Sequence, residues 1–231
     1  MKLLNLIGFA VINFTLASGA FAQETGTLLT NRSAEIEGRG PDAARRTMEA
    51  FMACLVSRYT GRAIALAAVP VDSPQYDRLA RNMYENAGDQ CLAGGGRLSF
   101  SGNLFRGGLF QALYERQFRD DAPMDFSAVE STGYRQLYPA DLSAEARTAL
   151  ALEHFGECVA RADPEGVRSL ISQQAGTSTE AQAITELRPR LAACIPQDNT
   201  IRFSAAVLKG ALAEGIYRLS VAHQASAGGS N

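Results

Sequence analysis

The sequence predicts an all-α fold of two tandem, duplicated four-helix repeats, each closed by a disulfide, packed with pseudo-twofold symmetry. Three observations lead there. The chain matches itself at a nearly constant offset, apolar residues recur at helical spacing in both matched halves, and four cysteines fall at equivalent places. Self-similarity at such a period fixes the structural unit before any local reading.

At an offset of 103, Cys91–Tyr114 matches Cys194–Tyr217 with identities at Cys91/Cys194, Phe100/Phe203, Ser101/Ser204, Gly107/Gly210, Leu109/Leu212 and Tyr114/Tyr217. Leu98/Ile201, Leu104/Val207 and Arg106/Lys209 keep their chemistry. Upstream, Glu49/Glu153, Phe51/Phe155, Cys54/Cys158 and Leu66/Leu170 align at 104. A one-residue change therefore separates the blocks, expected in the loop around Val69 to Ser73.

The N-terminus reads as an export signal. Met1 and Lys2 are its positive end, Leu3 to Ala17 its apolar stretch, and Ala20-Phe21-Ala22 the small-x-small pattern of a peptidase site, with cleavage between Ala22 and Gln23. The apolar stretch is at the lower limit for a membrane-spanning helix, about 17 residues. It also contains Asn5 and Asn13, so no stable span is expected after cleavage. Removal of 22 of the 231 residues leaves 209, one large domain or two small ones. Lys2 is the only charge lost, so 22 basic and 24 acidic residues become 21 and 24. With both signs interspersed, that balance excludes nucleic acid as the main partner, since phosphates require a basic excess.

Residues 23–41 form a polar, glycine-containing segment expected to be flexible, 42–118 the first repeat, 119–142 a connector, 143–220 the second repeat, and 221–231 a disordered small-residue tail. In the first helix of each repeat, Ala44, Met48, Phe51, Met52, Leu55 and Tyr59, and then Ala146, Leu150, Phe155, Val159 and Ala162, recur at three and four residues. Ser143 is placed to cap the latter. Short second helices follow over 62–68 and 164–172, the latter with Pro164 in its first turn. Third helices start at Ser73-Pro74 and near Thr179, where Gln182 suggests a capping box, and Pro189 is expected to kink or shorten the second of them. The fourth helices start after Ser101 and Ser204, with Phe100/Phe105 and Phe203/Leu208 at hydrophobic-staple spacing. Gly107, Gly108 and Ala112, echoed by Gly210, Ala211 and Gly215, leave a smooth side for close packing. Within the connector, Tyr134, Leu137 and Tyr138 are apolar enough to dock along the repeat interface. The chief alternative to an all-helical chain is a small sheet from Arg97 to Phe100 and Thr200 to Phe203, where apolar residues alternate briefly.

Four cysteines in an exported chain read as two disulfides. Within-repeat pairing, Cys54 with Cys91 and Cys158 with Cys194, is favoured, since only it would have served a single ancestral unit.

Chemistry is hard to find. No C-x-x-C, G-x-S-x-G, H-E-x-x-H, P-loop or dinucleotide fingerprint occurs. His154 lies one turn from Cys158 on a helix, and His223 lies beside the tail. Gly94-Gly95-Gly96 reads as a turn, and Asp120, Asp121 and Asp125 as a solvated loop. Glu49/Glu153 is the acidic position present in both halves, read as a solvated or salt-bridged helix face. No catalytic residue, metal or cofactor is therefore expected. The sequence points to a periplasmic or secreted, non-enzymatic binding or interaction module for an envelope or extracellular macromolecule, with Arg106, Tyr114, Lys209 and Tyr217 as candidate contacts. The alternatives are a carboxylate hydrolase acting on cell-envelope material, marked by two acids with opposed protonation shifts in a cleft between the repeats, and a small-ligand carrier with a cavity there.

Overall fold

The computed structural model describes residues 28–30, 40–71, 73–92, 97–99, 101–121, 125–131, 136, 138, 140–195 and 203–228. In chain order the elements are β1 (Leu28–Thr30), α1 (Pro41–Arg58), α2 (Thr60–Ala67), α3 (Pro74–Cys91), β2 (Arg97–Ser99), α4 (Gly102–Gln117), α5 (Ala144–Ala162), α6 (Pro164–Ser172), α7 (Ser178–Ala193) and α8 (Ala205–Gly228).

Local chemistry explains most helix starts. The Ser143 hydroxyl accepts the Ala146 N–H at 3.0 Å, and Asp163 accepts that of Gly166 at 2.8 Å, ahead of Pro164. Ser73 accepts the N–H of Tyr76 at 3.1 Å to start α3. At α7 the box sits two residues earlier than the sequence suggests. Thr177 accepts the Glu180 N–H, and the Glu180 carboxylate accepts that of Gly176 at 2.9 Å. The caps Ser73 and Thr177 are 104 residues apart and the cysteines that follow 103. Pro189 neither ends nor shortens α7, which runs on to Ala193. The carbonyl it would leave without a donor belongs to Thr185, an exposed residue that water can serve.

Two further expectations are corrected. Helix α8 continues to Gly228, so the stretch from residue 221 is helical rather than a disordered tail. Its alanines favour helix, and Ser226 bonds back to the Ala222 carbonyl at 3.0 Å. Arg97–Ser99 does form a strand, but its antiparallel partner is Leu28–Thr30, with Leu29 opposite Leu98. The segment expected to be flexible thus contributes a strand, because unpaired backbone groups at Arg97–Ser99 find a β-prone Leu-Leu-Thr to bond. Residues 200–202 lie outside the described residues. Phe203 stacks on Phe155 at 4.9 Å.

α4 and α8 form the centre. Leu104 to Tyr114 on one and Leu208 to Tyr217 on the other are buried throughout, as expected of helices surrounded on all sides. α1 and α2 cover α4, α5 and α6 cover α8, and α3 and α7 lie outside them. Glycines set the distances. A Cβ on Gly107 would lie 2.6 Å from Gly210 Cα, and one on Gly210 2.7 Å from Gly107 Cα, so the helices cross backbone to backbone. α5 and α8 approach as closely, since a Cβ on Gly156 would overlap the Ala211 carbonyl. At the corresponding α1–α4 contact, Met52 stands where α5 has Gly156, and its side chain rests on Gly108.

One apolar core runs through both halves, from Met48 and Leu55 through Phe105 and Phe110 to Val167 and Leu219. Disulfides join Cys54 to Cys91 and Cys158 to Cys194, tying α1 to the end of α3 and α5 to the end of α7 with Cα separations of 5.6 and 5.8 Å.

Candidate functional site

The four candidate contact residues face inward. Arg106 and Lys209 are 2% and 1% exposed, and Tyr114 and Tyr217 are buried with them; of the four, Tyr114 also lines a cavity that opens between α4 and α6. The small-residue sides do pack closely, Gly107 against Gly210 and Gly215 against Gly156, while Gly108 lies under Met52. Among the described residues only Ile64, Tyr84 and Val221 are large exposed hydrophobics, one each on α2, α3 and α8.

What the inward basic residues do is chemically explicit. Charges placed in an apolar helix run must be paired, because an unpaired buried charge is prohibitively unfavourable. Arg106 on α4 grips Glu214 on α8 with two hydrogen bonds, at 2.6 and 3.0 Å, and donates to Glu153 on α5 at 2.6 Å. Arg218 adds a bond to Glu214 at 2.9 Å and lies 3.8 Å from Glu153. The connector closes this cluster, since the Tyr138 hydroxyl donates to Glu153 Oε1 at 2.9 Å. Both guanidiniums also lie against Phe110, with their carbons 5.1 and 5.0 Å from its ring centre.

A second cluster surrounds Lys209. Its ammonium donates to Glu49 on α1 at 2.8 Å and to the Gln173 carbonyl, and lies 3.9 Å from Glu180, which also pairs with Arg45. The first cluster holds two cations and two carboxylates; in the second, Arg45 also pairs with Asp42 at 3.2 Å, which makes two cations and three carboxylates. Glu49 and Glu153 are therefore ion-paired as one reading of them allowed, but within the protein rather than on a solvated face.

Protonation is displaced in the first cluster. Burial, reinforced by the Glu214 charge, pushes the Glu153 carboxyl up from 4.5 to about 7 against the pull of Arg106 and Arg218. Its Oε2 is buried without a hydrogen-bond partner among the described residues. Burial also acts on Glu214, but two arginines and their hydrogen bonds outweigh it and hold that carboxyl below its ordinary value. Burial raises the Tyr138 phenol.

The other sequence candidates fall elsewhere. His154 is exposed on α5, and Cys158 is committed to its disulfide. His223 is on α8, edge-on to Phe126 of the connector at 6.2 Å. Asp125 accepts the Ser127 N–H, a turn-forming role. Gly94, Gly95 and Gly96 lie outside the described residues, as do Tyr134 and Leu137. Tyr138, the third connector residue expected to dock, is buried on Glu153, and Phe126 and Val129 dock as well, their carbonyls held by Arg161 at 2.8 and 2.7 Å. Among the described residues no group of three His, Cys, Asp or Glu side chains is arranged to hold a metal.

Two cavities, about 300 and 370 Å³, lie along α3, and another open feature is a groove at the junction of the two halves. One part lies between α4 and α6, is lined by Tyr114, Glu165, Arg168 and Ile171, and measures about 300 Å³. The other, about 250 Å³, lies between α1, α4 and the end of α6, with Glu49, Ala50, Ala53, Gly108, Gln111 and Ala112 in its wall. Glu115, Arg119 and Ser172 border both, making them continuous. Its charges are largely satisfied: Arg119 pairs with Glu115 at 3.3 Å, and Gln111 donates to Glu115 at 3.2 Å. Together the parts fall in the size range of small-ligand sites. Neither Glu153 nor Glu214 lines the groove. Sequence reasoning missed Glu180, Glu214, Arg45 and Arg218. For Glu214 the signal was present, a lone carboxylate in the apolar run from Leu208 to Leu219. Comparison with known protein families, curated proteins and solved structures finds no match.

Proposed function

We propose that this chain is an exported, non-catalytic binding module made of two copies of one disulfide-closed helical unit, with the groove along α1, α4 and α6 as its binding face. Matched contacts at matched positions support the duplication. Arg106 and Lys209, 103 residues apart, each reach a glutamate of the opposite half, Glu153 and Glu49. Each also donates to a carbonyl, Val69 and Gln173, and these in turn are 104 residues apart. Gly107 and Gly210 meet where a twofold axis relating the copies would pass. The N-terminal pattern, together with two disulfides, supports export to an oxidising compartment and hence an envelope or extracellular partner.

One observation carries binding over catalysis: the acids with displaced protonation are sealed around Arg106, whereas the groove that opens to solvent is lined by charges already balanced against one another. The hydrolase alternative has two oppositely shifted acids, but both are buried and neither lines the groove. Amide hydrogen exchange on the mature protein tests the reading, with and without soluble envelope extract, beside an Ala53→Leu variant whose larger side chain occupies the groove. Slowed exchange over residues 49–53, 108–119 and 169–174 in the wild type, absent in the variant, is expected. Protection elsewhere, or equal protection in the variant, excludes the groove as the binding face.

A further inference from the structure

We infer that the groove at Glu49 recognises a phenolic hydroxyl, that of a tyrosine side chain carried by an extended segment of a partner polypeptide. The inference rests on the groove being the binding face and adds the chemistry of what enters it. Glu49 and Glu153 occupy matched positions and pair with the matched cations Lys209 and Arg106. At Glu153 the protein supplies a further donor, since the connector lays Tyr138 over the carboxylate with its hydroxyl at 2.9 Å. Earlier in the connector, the described residues 125–131 form no α-helix and are held by their backbone, through Arg161 to the carbonyls of Phe126, Val129 and Glu130. At Glu49 no described residue plays that part. Its side chain is 18% exposed, against 1% for Glu153, and it forms part of the groove wall. Its oxygens accept from Lys209 and, at 3.3 Å, from the Ala175 N–H. Because a carboxylate has about four acceptor sites, capacity remains.

Charge and shape narrow the donor. At Glu49 an entering ammonium or guanidinium would lie beside the Lys209 ammonium already paired there at 2.8 Å, and an anion would meet Glu49 and Glu115. A neutral hydroxyl incurs neither penalty. Met52, in place of the glycine found at position 156, keeps α1 off α4, and the wall so exposed is made of Ala50, Ala53, Gly108 and Ala112. Small apolar groups suit the flat face of an aromatic ring, while Gln173 and Gln174 at the edge offer donors and acceptors to an extended backbone.

The test is an NMR titration of the labelled mature protein with N-acetyltyrosinamide and N-acetylphenylalaninamide, each to about 10 mM, the range in which single side chains bind. The tyrosine probe is expected to shift the amides of Ala50, Ala53, Gly108 and Ala112. The phenylalanine probe should bind at least about tenfold more weakly, as loss of a hydrogen bond to a charged acceptor implies. Ala53→Leu, which leaves Glu49 and its cluster intact, should abolish the shifts. Equal binding of the two probes overturns hydroxyl recognition while leaving the groove as a binding face. No shift with either probe, shifts that survive Ala53→Leu, or tighter binding of glucose at the same amides also overturns it, the last in favour of a saccharide.

Discussion

Replacing Glu153 by glutamine should make the protein's stability less sensitive to pH, and in a stated direction. Glu153 is raised from 4.5 to about 7, principally because it is buried and secondarily because Glu214 lies beside it. The folded chain thus holds this proton more tightly than the unfolded chain does. Where both states are protonated, below about pH 4.5, the site imposes no penalty. As pH rises, the unfolded chain ionises first, so stability falls until the folded carboxyl also ionises near pH 7. A shift of this size corresponds to a full penalty of about 3 kcal/mol, of which about 2 kcal/mol is lost between pH 5.5 and pH 8. Glu214 is shifted the other way, so its contribution is complete above its ordinary value and is lost only as pH falls below that range. The amide introduced by Glu153→Gln cannot ionise and keeps an oxygen for the Tyr138 hydroxyl. Urea unfolding of both proteins across pH 5.5 to 8 is the assay, and the informative quantity is wild type minus variant. It should fall by about 2 kcal/mol with rising pH. Parallel curves, or a wild type that gains on the variant, would show that Arg106 and Arg218 hold Glu153 ionised and that burial does not dominate.

Other substitutions separate the remaining elements of the argument. Arg106→Ala leaves Glu153 and Glu214 facing each other in the interior and should destabilise by about 3–5 kcal/mol in chemical denaturation. Gly156→Ala forces a methyl into the Ala211 carbonyl and should cost about 1–3 kcal/mol, whereas Gly61→Ala, which meets nothing within 4 Å, should be neutral or stabilise by up to about 1 kcal/mol in a thermal melt. Cys54→Ser with Cys91→Ser opens a loop whose ends are 37 residues apart and should cost about 4 kcal/mol in the chain-entropy description. A non-reducing peptide map of the wild type should return the peptides containing Cys54 and Cys91 linked.

How far the sequence disclosed this molecule depended on how local each signal was. Helix starts at Ser143, Asp163 and Ser73 are written in one or two residues, because a cap is a bond between near neighbours. Phe51 and Leu55 were legible as core because burial imposes the helical period on their neighbours too. The strand at Leu28–Thr30 was not legible, since three residues carry no usable period and its partner lies some 70 residues on. Nor was the site. Arg106 and Lys209 stood out as recurring basic residues, but whether such a residue faces solvent or a buried glutamate depends on packing that no local pattern records. Glu153 looked like any charged helix residue because its burial is produced by α4, α8 and Tyr138, all distant in sequence.

If the halves descend from one unit, the groove is a product of their divergence at a few positions. In the second half, Gly156 and Gly215 let α5 and α8 close on each other, and Glu214 and Arg218 fill the space beside Arg106 with charge. The first half has Met52, Ala112, Gln111 and Glu115 at the matching positions. Met52 alone prevents closure of α1 on α4 to backbone contact, since its side chain already presses on Gly108. Gln111 stands as a neutral amide where the second half has a carboxylate, and it donates to Glu115 and to the Ile171 carbonyl in the groove wall. A sealed cluster of full charges holds one conformation and resists exchange with solvent, whereas an open wall of amides and surface ion pairs can exchange water for a ligand at modest cost. The same ancestral surface is thereby used once to hold the molecule together and once, on the reading proposed here, to bind something else.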